Sequence, residues 1–183
     1  MAVRARGHRD RRLRAPRAPP GAARVSARSG IGFDSHRLAE GRRLVLGGVE
    51  IEGAERGLEG HSDADVLTHA VIDALLGAAG LGDIGQHFPD TDERYRDADS
   101  LELLAHARGL VARDGWAVAC LDATVVCEGP RLAPHRESMR ATLAGPAGVA
   151  PPQVNVKFST GEGMGFVGRG EGIAAIAIAT VER

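Results

Sequence analysis

Aromatic side chains are scarce in this 183-residue chain, at 3% of the composition, and there are only two cysteines. With so few rings, a core has to be assembled from Ala, Val, Leu and Ile, which the 43% hydrophobic content allows within one compact domain. Cys120 and Cys127 stand seven apart with no CxxC or metal-finger pattern. They read as buried strand residues of a reduced protein, not as a disulfide. The longest apolar stretch, Ile173 to Val181, is too short to span a bilayer, and no segment has the charged-then-apolar layout of a secretory leader. The expectation is a cytoplasmic protein without a membrane partner. Its length also argues against fusion to a second enzyme.

Net charge is near balance, at −1, but its distribution is not even. Residues 1–28 hold nine Arg and one acidic residue, Asp10, a net of +8, which leaves −9 for the remainder. That segment carries Pro16, Pro19 and Pro20 and no apolar period, so it reads as a disordered Arg/Pro-rich extension ahead of a domain over 29–183. A basic tail suits nucleic acid or an organellar address, and a plastid location would follow only if it were a transit peptide. The reading adopted is an extension without a role. An acidic body argues against a nucleic-acid partner.

The domain alternates strands and helices without repeats, which makes it α/β or α+β. Ile31 and Phe33 alternate with Gly32 and Asp34 as in a strand with one apolar face. Leu44 to Ile51 reads as a hairpin turning at Gly47-Gly48. A helix follows, with Ser62 as N-cap, Asp65 as its capping-box partner, an apolar stripe from Val66 to Ala78, and an end at Gly80. A Gly- and Asp-rich loop spans Leu81 to Asp92. A second helix should run from Ser100 to Asp114-Gly115, burying Leu101, Leu104, Ala107 and Val111. Trp116 to Val126 alternates like a strand, with Val118, Cys120, Thr124 and Val126 on one face. Pro134 suits the first turn of a third helix. The strand Val154 to Phe158 leads into a glycine-dense loop, Gly161 to Gly172, and a last strand, Ile173 to Val181.

Chemistry concentrates in four places. Asp34 and His36, two apart in an extended segment, project to one side and offer two of the three protein ligands that catalytic zinc usually takes. His69, within the first helix, is the best third, and Asp73 one turn on is placed to accept its other ring N–H. Spacing alone leaves open a capped turn at Asp34 with solvated histidines. His61-Ser62 precedes a helix whose free N–H groups favour phosphate, although one Ser is more commonly a cap. Asp83, Asp90 and Asp92 are short acceptors that suit hydroxyl recognition and equally form turns. Ser159-Thr160-Gly161-Glu162 supplies hydroxyls and a carboxylate fit for a hard cation, and Arg169 a bidentate oxyanion binder that also suits pairing with Glu171.

In order and with near-constant spacing, the segments Gly30-Ile31-Gly32-Phe33-Asp34-Ser35-His36, Gly60 to Asp65 with His69, Asp73 to Ala79, Leu81 to Gly85, Phe88 to Asp92 and Gly165 to Gly172 closely resemble the methylerythritol cyclodiphosphate synthase family. The resemblance covers the chain from Gly30 to the last strand. It implies an α+β sandwich, with a mixed four-stranded sheet covered by helices on one face, a small hairpin, and a bacterial homotrimer packing its sheets around a central axis. Asp34, His36 and His69 would hold Zn2+ or another divalent transition metal, and Glu162 a Mg2+ or Mn2+ on the nucleotide phosphates. His61 and Thr160 match transition-state stabilisers. Ser62, Asp83, Ile84, Gly85, Phe88, Pro89, Asp90, Thr91 and Asp92 match the metal and erythritol side. Cys127, Glu128, Gly129, Pro130, Arg131, Leu132, Ala133, Ser159, Thr160 and Gly161 match a cytidine pocket read through backbone groups and contributed by a neighbouring subunit. Phe166 and Arg169 match a central cavity linked to isoprenoid diphosphates.

The reaction implied is cyclisation of 4-diphosphocytidyl-2-C-methyl-D-erythritol 2-phosphate to 2-C-methyl-D-erythritol 2,4-cyclodiphosphate with loss of CMP. Such a phosphorus-oxygen lyase serves the non-mevalonate isoprenoid pathway. Its nucleophile is already an anion, which agrees with a sequence that lacks an activated Ser or Cys. The alternatives are a metal-dependent phosphohydrolase and a non-catalytic trimeric isoprenoid-diphosphate-binding protein. Arg131 stands where the family usually has Lys, which keeps the cation, whereas Ser159, Gly161 and Gly163 depart from its usual residues and loosen the expectation for their loop.

Overall fold

The computed structural model describes residues 26–183. Its strands and helices are β1 (Ala27–Glu40), β2 (Val45–Leu46), β3 (Val49–Glu50), β4 (Arg56–Leu58), α1 (Val66–Ala79), α2 (Ile84–His87), α3 (Ser100–Arg113), β5 (Ala117–Val126), α4 (Arg136–Ala147), β6 (Val154–Ser159), α5 (Gly165–Gly168) and β7 (Gly172–Glu182). The main sheet has five strands, in the order β4-β1-β7-β5-β6, rather than the four expected; the fifth is the three-residue edge strand β4. All its pairs are antiparallel except β5 with β6, which α4 joins as a crossover. The hairpin β2-β3 stands apart and turns at Gly47 and Gly48, both at positive φ (58° and 71°), as its Gly-Gly pair requires.

The face of β1 that meets the helices reverses the sequence expectation. Gly30 and Gly32 lie against α1, where an added Cβ would sit 2.3 Å and 2.0 Å from the backbone oxygens of Ala74 and Ala70. Ile31 and Phe33 point the other way and are 70% and 57% exposed. Alternation of side-chain direction then puts Asp34 and His36 on the same side as the glycines, facing α1. The strand packs through the residues that have no side chain, and that close approach carries its polar pair to the helix.

Helix α1 is buried on nearly every side, not along one stripe: only Asp73 and Gly77 escape. A helix with that pattern belongs in the middle of a layer, and α1 packs against β1, β7 and α3 together. Its cap also differs from expectation. Asp65, not Ser62, is the N-cap, accepting from Thr68 N (3.0 Å), Thr68 Oγ1 (2.7 Å), Gly47 N (2.8 Å) and Gly48 N (2.7 Å) while fully buried. One carboxylate thus ends the helix and pins the hairpin turn to it. Burial pushes the Asp65 carboxyl up, against the pull of those donors.

Smaller differences have local causes. β1 starts at Ala27, two residues inside the segment read as an extension, because Ala27 and Arg28 pair with Glu182 and Val181; residues 1–25 of that segment lie outside the described residues. In α3 the turn at Ser100 sends Leu103 inward and leaves Leu101 half-buried. A bulge between Val118 and Cys120 puts Val118 on the opposite face from Cys120, so Leu121, Ala123 and Val125 form the core face of β5 and Cys120 is exposed. Cys127 is buried, and both thiols are free. The Gly161 to Gly172 run contains the short helix α5. Among the described residues, no helix is long and apolar enough to cross a membrane.

Candidate metal centre and nucleotide site

The C-terminal half of β1 and the first turn of α1 converge where the glycine packing ends. There Asp34 Oδ2 lies 3.0 Å from His36 Nε2 and 3.0 Å from His69 Nδ1, and the two ring nitrogens are 3.2 Å apart. Three ligands of a tetrahedral zinc at its usual bond lengths stand about 3.3 Å from one another. The triangle found here, one carboxylate and two imidazoles, has close to the dimensions of three corners of such a site, and its donor set could hold a divalent transition metal. Burial by itself would raise the Asp34 carboxyl, but the bonds from His36 and His69 outweigh it and hold the group well below the usual range. For His69, burial works to lower the imidazole, and the Asp34 carboxylate wins and raises it.

The far side of the His69 ring is held differently from expectation. Its Nε2 meets Ser100 Oγ at 2.9 Å and Ser62 Oγ at 3.1 Å. Asp73 does not reach it. That carboxylate accepts from Ile84 N at 2.7 Å and so ties α2 to α1; its direction on the helix favours α2 over the ring. Burial raises the Asp73 carboxyl. Ser100, legible in the sequence only as a helix start, was missed as a partner because it is 31 residues from His69.

The triad opens into a cavity of about 450 Å³ lined also by Gly60, His61, Ser62, Ile84, Gly85, Phe88, Pro89, Asp90, Tyr95 and Leu103. Tyr95 and Leu103 had no signal beyond apolar character. Phe88 is buried between Tyr95 and His106, with ring centroids 5.5 Å and 5.3 Å away, which fixes the wall that Pro89 and Asp90 continue. His61 sits at the mouth, its Nε2 3.3 Å from Asp92 O. Asp83, Thr91 and Asp92 do not line the cavity. Asp83 caps α2 through Gln86 N, and Asp92 caps the 3-10 turn Glu93–Tyr95 and pairs with Arg94.

A second cavity, about 250 Å³, lies at the ends of β5 and β6 and is lined by Cys127, Glu128, Pro130, Arg131, Leu132, Ala133, Phe158, Ser159 and Thr160. Glu128 Oε1 accepts from Gly161 N at 2.7 Å, clamping the loop after β6. Burial pushes the Cys127 thiol up. Gly129 and Gly161 flank this cavity without lining it, and Glu162 stands beyond, accepting from Thr160 Oγ1 at 2.9 Å. Phe166 and Arg169 belong to neither cavity, and Arg169 pairs with Glu171 at 2.7 Å. The two cavities share no residue, and β7 and β5 separate β1 from β6 in the sheet.

A model of the YgbB family matches residues 27–182, the whole sheet from β1 to β7. The chain belongs to the YgbB family. A 2-C-methyl-D-erythritol 2,4-cyclodiphosphate synthase of Rubrobacter xylanophilus is 60% identical over 159 residues, covering 85% of this chain and 95% of that protein. A bifunctional enzyme IspD/IspF of Anaeromyxobacter dehalogenans is 59% identical over 155 residues, covering 85% of this chain; the chain spans only 40% of that relative's length. Among solved structures, the bifunctional IspDF of Campylobacter jejuni superposes with a TM-score of 0.83 at 40% identity, over 87% of this chain and 43% of that one. A 2C-methyl-D-erythritol-2,4-cyclodiphosphate synthase in a CDP-bound form gives 0.77 at 38% identity, over 84% of this chain and 99% of that one. YgbB membership accounts for the mixed α+β fold and puts both cavities within the matched span.

Proposed function

We propose that this chain converts 4-diphosphocytidyl-2-C-methyl-D-erythritol 2-phosphate to 2-C-methyl-D-erythritol 2,4-cyclodiphosphate and CMP, a divalent-metal-dependent lyase step of isoprenoid precursor synthesis. The observation that carries this reading is the Asp34-His36-His69 triangle, with edges of 3.0, 3.0 and 3.2 Å, at the head of a cavity walled by Ile84, Gly85 and Phe88 to Asp90. Family membership agrees with it.

Asp34, His36 and His69 would hold Zn2+ or a similar ion, and Glu162 would share Mg2+ or Mn2+ with substrate phosphates, as a single carboxylate commonly does. Ions bound there supply charge neutralisation and Lewis acidity to phosphate oxygens. The chain's own side chains do the orienting. Asp90 is exposed on the cavity wall and free to accept from erythritol hydroxyls, while buried Phe88 keeps that wall dry and fixed. Cytidine would enter the second cavity, against the backbone of Cys127 to Ala133. An oxygen of the 2-phosphate then attacks the β-phosphorus. The bond from that phosphorus to the bridging oxygen breaks, and CMP leaves with the oxygen and its electron pair. His61 and Thr160 are assigned to the charge that develops on the phosphoryl oxygens.

Homotrimeric assembly, with the second cavity supplied by a neighbour, belongs to the same proposal. Two separate cavities support it, as does the apolar sheet face of Ile31, Phe33, Ile176 and Ile178 left open to solvent. Phosphorus NMR of the purified chain with this substrate, zinc and magnesium should show the cyclic diphosphate and CMP in equal amounts, and nothing after chelation. Accumulation of free phosphate or an uncyclised erythritol phosphate would make it a phosphohydrolase instead.

A further inference from the structure

We infer that Ser100 and Asp63 are positioning residues that fix which nitrogen of His69 faces the metal. The inference rests on Asp34, His36 and His69 forming a metal site. It concerns a chain of hydrogen bonds running away from that site into the protein.

Ser100, fully buried at the start of α3, presents its Oγ to two groups: His69 Nε2 at 2.9 Å and Asp63 Oδ1 at a shorter distance still. Asp63 is already occupied by backbone donors on both oxygens. Asp65 N donates to Oδ1 at 3.2 Å and Ser100 N to Oδ2 at 3.1 Å. An acceptor so placed takes the one proton of the Ser100 hydroxyl. A hydroxyl has no second proton to give, so Ser100 Oγ meets the imidazole as an acceptor, and the N–H of that contact comes from Nε2. Ser62 Oγ, which itself accepts from Ala64 N at 3.2 Å, lies on the same side of the ring at 3.1 Å and shares that N–H. Of the two neutral forms of His69, this arrangement selects the one with its proton on Nε2. Without an ion, Nδ1 also donates to Asp34 Oδ2; an ion at the Asp34-His36 corner would displace that proton and not the one on Nε2, and so meet the Nδ1 lone pair.

The same bonds set the ring's angle. Asp63 belongs to the loop that carries His61 and Ser62, and its bonds to Ser100 lock that loop to the start of α3. His69 is therefore gripped between α1, which bears it, and α3, which orients it. Because the partners are 37 residues apart, Asp63 and Ser100 gave no sign of acting together in the sequence.

The test is a Co2+ titration of the full chain, followed by visible absorption and by competition with a chromophoric chelator. Ser100→Ala should bind Co2+ about 10- to 100-fold more weakly than the wild type, the usual cost of losing the hydrogen-bond partner of a metal-bound histidine. Its cobalt bands should also move, which loss of packing elsewhere would not cause. Since Ser100 is buried, a paired comparison guards against misfolding: Ser100→Thr and Ser100→Val have the same shape and differ in the hydroxyl. Thr should bind Co2+ at least about tenfold more tightly than Val. Wild-type affinity and spectrum in Ser100→Ala, or equal affinity in the Thr and Val variants, would overturn the inference. His69→Ala separates the two levels. If it loses Co2+ while Ser100→Ala does not, the metal site stands and the positioning role falls. If His69→Ala binds like the wild type, both fall.

Discussion

At the scale of single residues, the site depends on side chains that are absent as much as on those present. Gly30 and Gly32 let β1 approach α1 so closely that Asp34 and His36, the next helix-facing positions of the same strand, come within reach of His69. Gly32→Ala would place a Cβ 2.0 Å from Ala70 O, and neither a strand in the sheet nor a buried helix can give way cheaply. The cost should be on the order of 3 kcal/mol, at the upper end for overpacking in a dense core. Urea unfolding should show it as a lower midpoint, and Co2+ binding should weaken as well because the strand is displaced from His69. A wild-type midpoint would mean that β1 and α1 do not pack this tightly. The alternation of glycine with Ile31 and Phe33 is visible in the sequence, but it does not say which face is the inner one.

At the scale of elements, the sheet is closed at one end by a contact that the sequence reading put outside the domain. Ser26 N donates to Arg183 O and Arg183 N to Ser26 O, both at 3.0 Å, and Ala27 and Arg28 continue the pairing with β7. Buried Trp116 meets two guanidinium groups there, with Arg28 Cζ 4.7 Å and Arg183 Cζ 4.2 Å from its ring centroid. A chain starting at Ser29 loses both the pairing and one of the cations. It should be less stable than a chain starting at Ser26 by about 1–2 kcal/mol, from hydrogen bonds and a cation-π contact of ordinary strength. Thermal melts of the two truncations would measure it. Indistinguishable melting temperatures would return the boundary to Ser29.

At the scale of the whole molecule, two cavities with no common residue pose a question of assembly. Sites shared between subunits predict complementation. Asp34→Asn should damage the proposed metal half and Arg131→Ala the proposed cytidine half, and each variant alone should have little activity. Co-refolded in equal amounts, they would form mixed trimers in which about a quarter of the sites join two intact halves. Activity should recover to about that fraction, and light scattering should report a trimer. An active monomer, or no recovery in a demonstrably mixed oligomer, would assign both halves to one chain.

The sequence by itself determined the pieces. Its glycines mark the turns, its alternating and helical periods mark most elements to within a few residues, and Asp34-Ser35-His36 marks two of the three side chains of the candidate metal centre. These are local properties, set by backbone conformation and by the direction of successive side chains. His69 is legible as the helix residue to join that pair, and the structure brings it there; only the tertiary structure decided what held its ring. Asp73, one turn from His69, is the natural partner by sequence distance, yet its carboxylate goes to Ile84 N while Ser100, 31 residues away, takes the ring. Likewise Asp65 rather than Ser62 caps α1, because the hairpin turn at Gly47 and Gly48 brings two more donors to one buried carboxylate. A polar group settles where the packed chain leaves donors without water, and that place is known only once the elements are assembled.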